Sequence, residues 1–278
     1  MKIKFTDVSY HYNSMTSTNK FALDKVNFEI SKKECLGIIG PTGSGKTTLV
    51  QMFTGLLKPT SGNILIEGLD IHQTRFDLDK LRREIGIVFQ FPENQLFEET
   101  VFDDVAFAAK NMGIKGEELN KRVNEVLEIM KIGDEKILSL SPYHLSEGQK
   151  RKVAIAGILS MDPQLIIMDE PTACLDPAGI KIIEDVINHM IKIGKAVIVV
   201  SHNLDFIARI CQRVLVFADG KIMFDGQKET LFENEPLLDN LSLQLPRTIR
   251  FIRKMHEIGY ISTDKIYSLE ELKEHMSD

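Results

Sequence analysis

The chain has 278 residues, 43% hydrophobic and 27% charged, enough to bury the core of a large α/β domain with or without an appendage. Its 34 lysines and arginines stand against 40 aspartates and glutamates, a net of −6, so there is no general attraction to nucleic acid or anionic lipid beyond what a local basic patch would give. Cys35, Cys174 and Cys211 lie far apart and make no CxxC pair, which points to a reducing cytosol, and no apolar run approaches the roughly 18 residues that span a bilayer.

The N-terminus begins on strand-like alternation with nothing resembling a signal peptide. Residues 3–10 and 22–30 read as strands flanking a polar loop at 13–20, which together make an antiparallel β unit. Residues 34–39 form a short buried strand that runs into Gly40-Pro41-Thr42-Gly43-Ser44-Gly45-Lys46-Thr47-Thr48. A helix follows and is expected to stop near residue 57, before Lys58-Pro59. The loop fits G-x-x-x-x-G-K-[ST] in the strand–loop–helix context that pattern requires. Its glycines let the backbone curl so that successive N–H groups point at phosphate oxygens, and the helix behind it adds a positive end. Lys46 would hold the β- and γ-phosphates of a nucleotide and Thr47 would ligate Mg²⁺.

Further along, residues 62–66 read as a strand, Glu67-Gly68 as a turn, 78–84 as a helix, and 86–89 as a strand that ends at Gln90. Residues 100–130 are helical in character, with Val101, Val105, Ala108, Val123, Val126 and Met130 at helix spacing. The pattern then alternates: helix at 148–159, strand at 165–168, helix at 178–193, strand at 196–201, helix at 204–211, strand at 214–218. Such alternation implies a mainly parallel sheet covered on both faces, closed by a hairpin strand at 221–225 after Asp219-Gly220. Beyond about residue 235 the chain is helical and charge-rich. Leu238, Leu241, Leu243, Leu245, Ile249 and Ile252 make it too apolar for a solvated tail, so it reads as an appended helical module for packing or dimerisation.

Two segments carry chemistry besides the phosphate loop. The apolar strand at 165–168 ends in Asp169, the arrangement that brings a carboxylate to Mg²⁺ beside the phosphates, and Glu170 stands next to it where a general base would take a proton from water. Leu145-Ser146-Glu147-Gly148-Gln149 opens a helix, with Ser146 Oγ and the Gly148 N–H suited to an anion at the helix N-terminus. This segment resembles the signature of the ATP-binding-cassette (ABC) ATPases, usually Leu-Ser-Gly-Gly-Gln.

The other landmarks of that family follow in order. Gln90 matches the glutamine that reaches Mg²⁺ and the attacking water, Ala173-Cys174-Leu175-Asp176 the loop that crosses to a partner, and His202 the histidine at the γ-phosphate. The adenine-stacking aromatic matches Tyr12, with Tyr10 as an alternative. The resemblance implies that ATP contacts Tyr12, the loop from Gly40 through Thr48, and, across a dimer, Ser146, Gly148 and Gln149. It implies Glu170, His202 and Gln90 as catalytic and Thr47, Gln90 and Asp169 as Mg²⁺ ligands.

It also implies a fold: an α/β P-loop NTPase cassette over residues 1–230, with a RecA-like parallel core, an N-terminal antiparallel β subdomain and a helical subdomain at about 95–160, and a C-terminal module at 231–278.

The stretch Phe89-Gln90-Phe91-Pro92-Glu93-Asn94-Gln95-Leu96-Phe97, the residues from Thr100 to Gly113, and Leu245-Pro246-Arg247 are similar to the ATPases of energy-coupling factor (ECF) transporters. Glu170-Pro171-Thr172-Ala173 resembles the second of their two paired types. That likeness implies a peripheral subunit at the cytoplasmic face of the membrane, a second and related ATPase, a transmembrane T component and a substrate-binding S component, with a vitamin or, alternatively, cobalt or nickel as cargo. The rival is a non-transport cassette acting on nucleic acid. Its usual marks are a long coiled coil, zinc-binding cysteines or two cassettes in one chain, and the sequence displays none of them. Two positions depart from the family pattern, Glu147 at the first signature glycine and Cys174 at a usually small residue.

Overall fold

A computed structural model describes residues 1–12, 21–133, 135–267 and 269–277, so the loop expected at 13–20 lies outside the described residues. β1 (Ile3–Tyr10) turns Ile3, Phe5 and Val8 inward, and β2 (Leu23–Ile30) pairs with it antiparallel, Phe5 opposite Phe28. The inward pattern moves from odd to even numbers because Asp7, with φ 48°, sits where the register shifts. β3 (Cys35–Ile39) belongs to a second sheet and leads through the phosphate loop into α1 (Lys46–Phe53).

α1 is shorter than its apolar pattern suggested. Gly55, at φ 64°, donates to Met52 O while Leu56 N donates to Gln51 O, a Schellman ending that stops the helix at Phe53. Gly113 does the same to α3 (Val101–Asn111): the expected helical run at 100–130 is two helices, α3 and α4 (Gly116–Ile129), reached after β4 (Ser61–Ile66), β5 (Leu69–Asp70), α2 (Leu78–Glu84) and β6 (Ile85–Val88). β4 lies on the free side of β1, giving a four-stranded antiparallel sheet in the order β2-β1-β4-β5.

The helical part continues with α5 (Glu135–Leu138) and α6 (Glu147–Leu159). Next come β7 (Leu165–Asp169), α7 (Pro177–Lys192), β8 (Ala196–Val200), α8 (Leu204–Ile210), β9 (Arg213–Ala218) and β10 (Lys221–Gln227). The second sheet runs β10-β9-β3-β8-β7-β6, parallel throughout except for the β9–β10 hairpin. Its parallel strands are buried on both faces, and the period of two divides their side chains. Leu36, Ile38, Ile167, Ile198 and Val200 join one core with α1 and the antiparallel sheet. Cys35, Ile39, Met168, Val197 and Val199 join the other with α6, α7 and α8. Phe5 stacks on Phe28 at 4.7 Å and meets Phe53 of α1 at 4.9 Å, tying the antiparallel sheet to the helix behind the phosphate loop.

Among the described residues the chain closes with α9 (Lys228–Glu233), α10 (Glu235–Asn240), α11 (Arg247–Glu257) and α12 (Leu269–Ser277). Leu231, Phe232, Leu238 and Ile249 enter the core that contains α6, α7 and α8, whereas Ile252, Ile261, Ile266 and Leu272 form a small cluster of their own. No helix among the described residues is long and apolar enough to cross a membrane.

Candidate nucleotide site

Three adjacent parallel strands, β3, β8 and β7, bring their C-terminal ends together, with Ile38 opposite Val200 and Val200 opposite Asp169. The phosphate loop follows the first, Ser201-His202 the second and Glu170 the third, so parallel pairing alone gathers residues some 130 positions apart in sequence. Gly40 and Gly45 are required by close approach. A Cβ on Gly40 would lie 2.0 Å from Phe217 O and one on Gly45 2.3 Å from Ala22 O, and both residues have positive φ. Pro41, Thr42, Gly43 and Thr47 form an exposed rim, while Ser44, Lys46 and Thr48 are buried.

Lys46 lies across the loop. Its Nζ donates to Gly40 O at 2.9 Å, Pro41 O at 2.8 Å and Ser44 Oγ at 3.3 Å. Burial pulls its ammonium below the ordinary lysine range, with Asp169 and then Glu170 pulling the other way. The Asp169 carboxyl is shifted upward by burial first and by the neighbouring Glu170 charge second, and Lys46 opposes both. A desolvated carboxylate beside a second one, with Lys46 opposing, suits a divalent ion. Thr47 and Asp169 carry the hard oxygen donors that Mg²⁺ takes.

Glu170 is pinned at every polar group. Its N–H donates to Val200 O at 2.8 Å and its carbonyl accepts from Arg151 Nη2 at 2.7 Å. Its carboxylate accepts from Ser201 Oγ at 2.9 Å and from the His202 N–H at 2.8 Å, with His202 Nε2 at 3.6 Å. The backbone at Glu170 is left-handed, φ 49°, a conformation that a non-glycine residue keeps only when its surroundings hold it. His202 itself is half exposed, so its ring is accessible beside the carboxylate.

The aromatic alternatives separate in space. Tyr10 ends β1 and packs on the core, while Tyr12 is exposed, edge-on to Tyr10 at 5.0 Å, with its hydroxyl 3.1 Å from Thr48 Oγ1. Tyr12 is therefore the ring beside the phosphate loop. Gln90 is exposed two residues beyond β6 and has no hydrogen bond among the described residues.

The signature residues make no bond to this loop. Ser146 caps α6: its Oγ accepts from the Gln149 N–H at 3.3 Å, and Gln149 Oε1 accepts from the Ser146 N–H at 2.9 Å. Glu147 is exposed, and its Oε1 accepts from Lys150 Nζ at 2.8 Å. Cys174 has φ 59°, which explains why a glycine suits that position, and Asp176 caps α7 by accepting from the Gly179 N–H at 2.7 Å.

Two residues of the site escaped the sequence reading. Ser201 holds Glu170, and its only sequence signal is its place between β8 and His202. Arg151 supports the Glu170 carbonyl and lies 3.9 Å from Glu93, which follows Gln90 by three residues. Its signal is a buried arginine among the apolar residues of α6.

Comparison with known proteins shows what the whole chain is similar to. The family model described as ABC transporter matches residues 23–173. The energy-coupling factor transporter ATP-binding protein EcfA2 of Caldanaerobacter subterraneus subsp. tengcongensis is 44% identical over 99% of this chain and 96% of its own length. The protein of the same description from Symbiobacterium thermophilum is 41% identical over 98% of this chain and 94% of its own length. Among solved structures, cbiO1 of Clostridium perfringens, described as part of the ABC transporter complex cbiONQ, superposes with a TM-score of 0.74 at 39% identity, covering 88% of this chain and 96% of that one. A dimeric post-hydrolysis state of the ATP-binding cassette MJ0796 bound to ADP and Pi gives 0.71 at 31% identity, covering 81% of this chain and 98% of that one.

Proposed function

The chain belongs to the ABC transporter family, among its energy-coupling factor ATP-binding subunits, and from that membership we propose that it binds MgATP between its own phosphate loop and the signature of a second, related cassette. Closure on ATP and reopening after hydrolysis would move a transmembrane T component. A separate S component would bind the cargo, a vitamin or, alternatively, a cobalt or nickel ion. The subunit would work at the cytoplasmic face of the membrane with residues 231–278 as its dimerising module, and its net charge of −6 gives it no electrostatic reason to bind nucleic acid.

The observation that carries the reading is the held carboxylate of Glu170, fixed by Ser201 and His202 beside the Lys46 loop. Glu170 is in position to accept the proton of an attacking water, and His202, 3.6 Å away, can orient that water or touch the γ-phosphate. Lys46 is desolvated, with Asp169 and Glu170 offsetting its charge, so a phosphate anion would relieve it further. Thr47, Asp169 and Gln90 would hold Mg²⁺, which when bound neutralises charge building up on the phosphates. Tyr12 would stack on adenine.

The test is Glu170→Gln in the complex purified with its partner cassette and membrane components. ATP affinity should stay within about threefold of the parent while turnover falls roughly a hundred- to a thousandfold and the closed pair accumulates. Turnover at the parent rate would remove Glu170 from the role assigned to it.

A further inference from the structure

The α6 N-terminus carries both an invitation and an obstacle to an anion. The capping box uses the N–H groups of Ser146 and Gln149, leaving those of Glu147 and Gly148 as the helix's free donors. A Cβ on Gly148 would meet nothing within 4 Å, so the space beside this residue is open. Glu147, first residue of the helix, puts an exposed carboxylate at the same end. A carboxylate there favours the isolated helix but repels a phosphate that approaches the same donors.

Lys150 sits one turn further on, and helical side chains lean back toward the N-terminus, which brings its ammonium to Glu147 Oε1 at 2.8 Å. The lysine side chain is only 20% exposed, so its stem is packed and its head group has little freedom. Both residues line a cavity of about 220 Å³ with Glu93 and Tyr143, and Glu93 itself lies 3.9 Å from Arg151. Lys150 is thus the cation that answers Glu147.

We propose that Lys150 is a positioning residue that cancels Glu147 at the mouth of the signature helix and so keeps that mouth able to receive an ATP phosphate held by the partner cassette. The inference rests on the composite-site reading given above. It accounts for how a chain with a carboxylate at the first signature glycine retains an anion-binding helix end, and it makes Glu147 and Lys150 a unit, neither meaningful alone.

The experiment uses the complex with its partner cassette and membrane components. Lys150→Met keeps the aliphatic stem and removes the charge, Glu147→Gln keeps the shape and removes the opposite charge, and the double variant removes both. ATPase rates are recorded against ATP concentration at about 50 mM and about 500 mM NaCl. Lys150→Met should raise the KM for ATP about three- to tenfold with kcat changed less than about twofold, and the defect should shrink at high salt, where charges across an open mouth are screened. Adding Glu147→Gln to Lys150→Met should bring KM back to within about twofold of the parent.

A merely structural lysine would lower stability without a salt-sensitive KM, and neutralising Glu147 would not rescue it. An unchanged KM in Lys150→Met, or a defect that the double variant keeps, overturns the proposal. Gly148→Asp separates the two levels of inference. If it stops turnover while Lys150→Met behaves as the parent, only the role of Lys150 falls; if it leaves turnover intact, the composite site falls and the role of Lys150 with it.

Discussion

Asp169 and Glu170 are consecutive carboxylates in different surroundings, and the difference divides their work. Glu170 has two donors on its carboxylate, whereas Asp169 is desolvated beside it and keeps its proton to higher pH than in the unfolded chain. The native state therefore binds the extra proton between the ordinary carboxylate value, near 4, and the raised folded one. Stability falls as pH rises through that window, and the full cost stands at neutral pH. Asp169→Asn should raise the Tm of the nucleotide-free protein by roughly 1–4 °C at pH 7.5, a gain that fades toward pH 4, while Mg²⁺-dependent ATP binding weakens. Calorimetry across pH checks the first part and nucleotide titration with and without Mg²⁺ the second; a lower Tm at every pH would contradict the assignment of strain to Asp169. At this scale the positions of Lys46, Asp169, Glu170 and His202 were legible because each opens a helix, ends a strand or closely follows one in a fixed spacing. Ser201 and Arg151 were not. One acts through a hydroxyl that any serine carries, and the other through a backbone carbonyl nineteen residues away, which no spacing rule reaches.

Between elements, Arg151 joins three pieces of the molecule that the sequence lists far apart. It belongs to α6, holds the carbonyl that follows β7, and faces Glu93 in the short 3-10 turn Pro92–Gln95 beyond Gln90. Arg151 is 2% exposed, so removing it leaves a buried carboxylate and a buried carbonyl without their cation. Arg151→Met should cost about 2–4 kcal/mol in urea unfolding and lower kcat more than it raises KM, because the left-handed backbone of Glu170 loses a support. A stable variant with parent kinetics would show that the joint matters to neither. Strand and helix alternation announced the parallel sheet, since βαβ crossovers repeat a pattern visible in one dimension. The pairing of β4 with β1 was not visible: Ile64 and Ile66 meet Phe5 and Ile3 across some sixty residues, and nothing local in either strand names its partner. The ends of α1 and α3 were blurred for a different reason, because apolar residues run past Gly55 and Gly113 and the helix stop lies in the backbone conformation of those glycines.

For the whole molecule, composition sets the last part of the chain apart, and its buried side chains fall into two clusters. Leu231, Phe232, Leu238 and Ile249 share a core with the helices of the cassette, and Arg253 ties α11 back by pairing with Glu235 and donating to Phe232 O at 2.8 Å. The segment beyond α11 rests on the separate cluster of Ile252, Ile261, Ile266 and Leu272, with Tyr267 donating to Glu233 Oε1 at 2.7 Å as its outer fastening. Burying one such apolar side chain stabilises by about 1.5–3 kcal/mol, so a truncation costs in proportion to how many of them it removes or uncovers. A chain ending at Gln227 uncovers the face that four large side chains protect. It should lose on the order of 5 kcal/mol and collect in the insoluble fraction. A chain ending at Tyr267 gives up α12 and keeps that face, the Arg253 ties and the Glu233 bond. It should unfold in urea within about 1–2 kcal/mol of the full chain and bind ATP as tightly. Equal losses for the two truncations would mean that α12 is as much a part of the cassette core as α9 is. A soluble, cooperatively unfolding chain ending at Gln227 would mean that the helices from α9 onward contribute to assembly alone.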